Sequence, residues 1–291
     1  MKVGANLGVF ISTVLFSLSF IWSKGALEFL SPSMLVAARV TVALITVGSI
    51  ALALGKLQRL TRRDAMLFAM LAAAEPVGYF LFETTGITYV SPTLACIIVA
   101  MIPALAPLFA WLINGEKVSA RQWLGLFMGL AGVLLVALAD GTDSLNGQLI
   151  GILLIFGAVV ASLIYTLMVQ RLSARYNSYS IVAWQNVFAI LYLIPVILIF
   201  DFDRISVLKF SGDWVYPVLT LGILCSSIAF VLYARGIHAL GVTRTSLYIN
   251  LMPGMTAVAS FFIMGEMLPP MKIAGIAIAV AGLYIGLRDK N

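Results

Sequence analysis

The chain has 291 residues, 62% of them hydrophobic and 10% charged, with a mean hydropathy of +1.07. A soluble domain runs at roughly 45–50% apolar and about 25% charged, because polar groups must cover its surface. That contrast excludes a soluble globular protein and identifies an integral membrane protein. The formal net charge of +6 is modest, so the placement of the basic residues matters more than their sum.

A helix needs about 20 apolar residues to cross the ~30 Å hydrocarbon core. Ten segments meet that need, at 4–24, 33–54, 65–87, 92–113, 121–140, 147–169, 179–200, 213–236, 243–264 and 271–288. Short turn signals separate them: Ser31-Pro32-Ser33, Ser91-Pro92, Asn114-Gly115, Asp140-Gly141, Asn146-Gly147 and Pro269-Pro270. No connection has room for a soluble domain. The first segment has only Lys2 ahead of it and no small-residue cleavage site behind it. It therefore reads as a retained helix, not a signal peptide. Cys96 and Cys225 lie inside apolar runs and read as buried small hydrophobes.

Lys and Arg concentrate in cytoplasmic loops. With the N-terminus inside, the inner loops hold 13 of the 18 basic residues, from Lys2 through Lys56, Arg59, Arg175 and Arg235 to Lys290. The outer loops hold four, Lys24, Arg204, Lys209 and Lys272, and Arg39 lies within a segment. Both termini are expected in the cytoplasm.

The second half of the sequence echoes the first at a spacing of 150. Phe80, Gly86-Ile87, Thr93, Pro103, Ile113, Gly115-Glu116, Gly125 and Ala131-Gly132 return as Phe230, Gly236-Ile237, Thr243, Pro253, Ile263, Gly265-Glu266, Gly275 and Ala281-Gly282. Gly8 and Phe20-Ile21-Trp22 align less closely with Gly151 and Leu163-Ile164-Tyr165, at a spacing of 143. Ten helices divide as five plus five, and an odd count makes the second copy enter the membrane from the opposite side. The expected fold is an all-α integral membrane protein with ten transmembrane helices in two inverted five-helix repeats, residues 1–145 and 146–291. Inverted repeats are a recurring plan of secondary transporters, whose substrate site lies near the midplane between the copies.

These residues resemble a known family. Ten spans in under 300 residues, Gly-Glu after the fourth and ninth segments, and the opening stretch from Phe20 to Leu27 with Ser31-Pro32 and Arg39 are similar to the EamA-type members of the drug/metabolite transporter superfamily. The resemblance covers essentially the whole chain and implies a metabolite exporter, in the bacterial inner membrane. It also implies a central cavity lined by segments 1, 3, 4, 6, 8 and 9, with segments 5 and 10 outside.

Glu75 lies mid-way along the third segment, where a carboxylate costs ~2.5–3.5 kcal/mol and should face a cavity or a partner. A carboxyl group in a low-dielectric cavity suits reversible protonation, so Glu75 is a candidate for proton coupling; a buried acid bonded to a neighbouring helix is the alternative. Tyr79 and Glu83 follow at steps of four and share its face, with Glu83 about 12 Å nearer the outer surface. Arg39 lies at a matching depth and is expected to pair with Glu83 in a structural role. Tyr165, Tyr233, Tyr248 and Asn250 are further candidate substrate contacts, since polar-tipped rings suit an amphipathic metabolite, although tyrosine also packs between membrane helices. Trp184, Gln185 and Asn186 form a polar cluster in a helix expected further out. Ser12, Thr13, Ser17 and Ser19 either face the cavity or bond back to their own helix.

Pro103 and Pro253 sit at matching midpoints and are expected to kink their helices, statically or as paired hinges. Gly125, Gly129 and Gly132, and Gly275, Ala279 and Gly282, form small-residue faces for close packing, within the chain or in a dimer. Glu116 and Glu266 read as caps or loop ion pairs.

An intramembrane enzyme is disfavoured: the chain has one histidine, His238, and no His-Glu-x2-His or Gly-x-Ser-x-Gly pattern. No metal and no cofactor is implied. A channel, or a facilitative uniporter, is the alternative to a coupled transporter, but no ring of like charges marks a pore. Arg39 alone is cationic within the spans, which favours a zwitterionic or weakly polar metabolite over a phosphorylated one. The expected partners are a small-molecule substrate and the lipid bilayer, with no nucleic acid, as a monomer or homodimer.

Overall fold

The computed structural model describes residues 2–106, 108, 118–140, 145–207 and 211–287. Among them the fold is helical throughout, with no strand. The first half supplies α1 (Lys2–Ala26), α2 (Pro32–Ala53), α3 (Arg62–Ala72), α4 (Tyr79–Tyr89), α5 (Pro92–Ala100) and α6 (Ala120–Asp140). The second supplies α7 (Leu145–Leu172), α8 (Ser178–Phe200), a short α9 (Phe202–Val207), α10 (Gly212–Thr220), α11 (Phe230–Leu240), α12 (Val242–Ile249), α13 (Met252–Met264) and α14 (Pro270–Leu287). Turn residues read from the sequence become caps. Ser31 and Ser91 accept from the amides of Met34 (3.3 Å) and Leu94 (3.1 Å), with Pro32 and Pro92 in the first turn. This suits proline, whose missing N–H is unneeded there. Asn177 likewise caps α8, and Gly265, at φ 67°, ends α13 in the left-handed region that glycine tolerates.

Among the described residues, seven stretches are long and apolar enough to cross a membrane, including Arg62–Tyr89 and Gly212–Leu240. The fourth, ninth and tenth predicted segments correspond to shorter apolar helices, Pro92–Ala106, Met252–Met264 and Pro270–Gly286. The third and eighth segments are not continuous α-helices. A wide turn at Ala73–Gly78 joins α3 to α4, and another at Leu221–Ala229 joins α10 to α11. At the first, Glu75 is extended (φ −151°, ψ 127°) and Pro76 follows.

The two prolines expected to kink helices instead open them. The fourth segment breaks at Met101, two residues before Pro103, and the ninth at Asn250-Leu251, just before Pro253. Each proline thus stands in the first turn of a new helix, where its ring clashes with nothing.

Helix contacts repeat when the halves are exchanged. The α4–α7 contact has its counterpart in α1–α11, and α5–α7 in α1–α12; α5 meets α13 across the halves, and α6–α14 pairs each half with its equivalent. In the last pair the glycine faces meet within the chain. A Cβ on Gly132 would lie 2.6 Å from the Gly275 carbonyl oxygen, and one on Gly125 2.6 Å from that of Gly282. The backbones touch there, so side chains are excluded.

Charged groups gather at the two ends. At one, Lys272 bonds Asp140 and Glu266, Asp140 accepts from Ser91 (2.6 Å), and Lys24 Nζ reaches the Ile87 carbonyl (2.6 Å). At the other, Arg175 pairs with Asp64 at 3.0 Å near Lys56, Tyr179 and Arg235. Glu266 is thus a loop ion pair; Glu116 lies outside the described residues.

Candidate functional site

Between the halves lies a cavity of about 50 Å³, lined by Phe16, Ser19 and Phe20 of α1, Glu75, Tyr79, Phe80 and Glu83, Val99 and Ile102, Ser162 and Tyr165 of α7, Phe230 and Tyr233 of α11, and Ile249 and Met252. Five pairs among these occupy equivalent positions in the two repeats: Ser19 and Ser162, Phe80 and Phe230, Glu83 and Tyr233, Val99 and Ile249, Ile102 and Met252. The cavity is therefore built on the relation between the copies. Pockets for drug-sized ligands hold about 300–1,000 Å³, so the space is too small for such a molecule in this conformation.

The wall is aromatic and acidic. Phe230 is its hub, edge-to-face with Phe16 (5.4 Å), Phe80 (5.9 Å) and Tyr165 (5.9 Å). Glu75 reaches the cavity from the break at Ala73–Gly78, not from a regular helical step. The spacing of four therefore fails to place it, while it does place Tyr79, whose hydroxyl donates to Glu83 Oε1 at 3.2 Å. Glu75 is 6% exposed and its Oε2 has no hydrogen-bond partner among the described residues.

Arg39 is 1% exposed, buried among the helices. Its Nε donates to Ser226 Oγ at 3.0 Å, and its guanidinium stands 3.8 Å from the Phe80 ring centroid. Its Nη1 lies 3.9 Å from Glu83 Oε2, an ion pair longer than a hydrogen bond. Arg39 thus bridges the halves, tied to Glu83 of one and Ser226 of the other.

Tyr165 donates to Gln185 Oε1 at 3.3 Å, so the polar cluster of α8 backs the cavity without lining it. Trp184 bonds the Gln58 carbonyl at 2.9 Å, at the basic end. Ser12, Thr13, Ser17 and Ser19 all donate back to their own helix, and Ser19 also lines the cavity.

Tyr248 and Asn250 do not line this cavity, whereas Ile249 and Met252 do. The break at Asn250-Leu251 lies between Ile249 and Met252, the two residues of this stretch that face inward. Phe16, Phe20, Ser162 and Phe230 were not singled out from sequence, yet line the space. Phe230 and Phe80 carried a signal, since they begin the repeated stretch. Cys96 and Cys225 are buried, bonded to Thr256 Oγ1 (3.1 Å) and the Leu15 carbonyl (3.2 Å).

Comparison with known proteins agrees with this architecture. A crystal structure of another protein superposes with a TM-score of 0.72 over 97% of both chains at 20% identity, a likeness of fold. The uncharacterized transporter YetK of Bacillus subtilis (strain 168) is 25% identical over 80% of this chain and 71% of its own. A protein of Streptantibioticus cattleyicolor named "Probable terminal-alkyne amino-acid exporter" is 25% identical over 83% and 80%. The S-adenosylmethionine/S-adenosylhomocysteine transporter of Chlamydia muridarum is 26% identical over 96% and 89%. The model of the EamA-like transporter family matches twice, at residues 4–138 and 149–288. With both copies matched across nearly its whole length, the chain is a multi-pass membrane protein and belongs to the EamA-like transporter family.

Proposed function

We propose that the protein is a secondary transporter that exports a small amino-acid-like or weakly polar amphipathic metabolite by alternating access. One observation carries this reading: a small, acidic and aromatic cavity lies between equivalent residues of the two repeats. Ten transmembrane helices form two inverted five-helix repeats, 1–145 and 146–291, with the basic end in the cytoplasm. Exchanging the conformations of the halves opens the same cavity first to one side and then to the other.

In this reading Tyr79, Tyr165 and Tyr233 contact substrate through rings and hydroxyls. Glu75 accepts the substrate's cationic group or a proton, and the exchange between the two couples transport to the proton gradient. Arg39 and Glu83 hold the halves in register. The helix openings before Pro103 and Pro253 are the hinges, and Tyr248 and Asn250 flank the second of them. The amino-acid substrate class draws support from the relative named as an amino-acid exporter. The relative named as an S-adenosylmethionine/S-adenosylhomocysteine transporter is consistent with this class, since both compounds carry an amino-acid head.

Purified protein is screened by thermal unfolding against amino acids and related metabolites, and solutes that stabilise it are carried into proteoliposome counterflow. Exchange of at least one solute, lost in Tyr165→Ala, is expected. Stabilising solutes that undergo no counterflow would contradict the transporter reading.

A further inference from the structure

We propose a binding site for an anionic phospholipid at the basic end, apart from the central cavity. A cleft of about 480 Å³ is lined by Lys56, Arg175, Tyr179, Arg235 and His238 together with the turn at the start of α8. Beside it, a groove of about 150 Å³ runs between α2 and the Leu221–Ala229 turn with α11, lined by Val47, Ile50, Ile228, Val231 and Leu232. The two share Tyr179 and Arg235. A polar, cationic pocket that opens directly into an apolar, lipid-facing groove matches one kind of molecule, a phosphate head carrying an acyl chain.

The cations available for that head are Lys56 and Arg235. Arg175 is already paired with Asp64, whereas neither Lys56 nor Arg235 has a carboxylate within 4 Å among the described residues. Tyr179 holds both in place. Its ring lies under the Arg235 guanidinium (4.7 Å) and the Lys56 ammonium (5.2 Å), and its hydroxyl accepts from Arg235 Nη2 at 2.8 Å. The α8 N-terminus opens into the same cleft and adds its partial positive charge. Basic pockets between membrane helices at the cytoplasmic side recognise acidic lipid heads. Ile50 and Ile228, 39% and 38% exposed, face the groove where the chain would lie.

The whole chain in detergent is titrated, with native mass spectrometry as readout, against phosphatidylglycerol, phosphatidylcholine and glycerol 3-phosphate. Retention of phosphatidylglycerol over phosphatidylcholine is expected. The double variant Lys56→Gln/Arg235→Gln should weaken phosphatidylglycerol roughly 10- to 30-fold while leaving phosphatidylcholine unchanged. Ile228→Trp, which fills the groove and keeps both cations, should weaken it too, and it carries the test alone if the double variant does not fold. Equal retention of both lipids by the wild type, or unchanged phosphatidylglycerol binding in the folded variants, would overturn the site. Equal response to glycerol 3-phosphate would overturn the lipid and leave a site for a free phosphate ester.

Discussion

The wide turns at Ala73–Gly78 and Leu221–Ala229 stand at equivalent places in the two halves, 150 residues apart, and do opposite work. The first aims Glu75 into the cavity. The second carries Cys225 where Glu75 stands in the first, and turns its polar groups to the frame. There Cys225 bonds Leu15, Ser226 takes Arg39, and Ser227 donates to the carbonyls of Gly222 (2.8 Å) and Ala43 (3.2 Å). A shared widening of the helix thus faces the cavity in one copy and anchors the frame in the other. The repeat supplies the skeleton; departures from it supply the site.

This contrast can be broken where the frame is tightest. Glu83→Gln leaves the Arg39 guanidinium buried beside a neutral partner, and removing one member of a buried pair costs ~3–5 kcal/mol. It should give the largest fall in thermal midpoint, and a midpoint equal to wild type would show that Arg39 does not depend on Glu83. Next come the glycine faces. Gly132→Val and Gly282→Val each force a side chain against backbone, and overpacking costs ~1–3 kcal/mol or more. Similar losses of about 5 °C are expected from the two, because they occupy equivalent positions. Loss in only one would show that the α6–α14 contact is not symmetric.

Ser226→Ala strips a buried donor of its acceptor, at about 1–3 kcal/mol. Its effect should fall on stability and spare transport per folded molecule, unlike a change at Glu75. Smallest of all is Tyr248→Phe. That residue lies off the cavity, and counterflow within about twofold of wild type is expected, against a larger loss for Tyr165→Phe, whose hydroxyl bonds Gln185.

Much of this was legible from residues that a hydrophobic composition does not scatter. Gly125, Gly132, Gly275 and Gly282 fall at fixed intervals because backbones touch there, and the spacing of 150 related four of the five pairs that line the cavity. Hydropathy located the apolar helices but could not see them break. The steps of four from Glu75 presumed an unbroken helix, and only Tyr79 and Glu83 obey them. Pro103 and Pro253 read as kinks because a proline within an apolar run looks interior; the break falls ahead of each, so each opens a helix. Ile249 and Met252, on either side of the second break, face the cavity where Tyr248 and Asn250 do not. The clustering of Ser91, Asp140, Glu266 and Lys272 had no periodicity to reveal it, since loop charges meet only once the helices are packed.

The claim that Glu75 gives one half what the other lacks is tested most directly by flux. Wild type and Glu75→Gln are reconstituted, and transport of a stabilising solute is measured with and without a pH gradient. The gradient should accelerate wild type several-fold and leave Glu75→Gln unaffected, with counterflow retained in the variant. Equal acceleration of both proteins by the gradient would contradict the role given to Glu75.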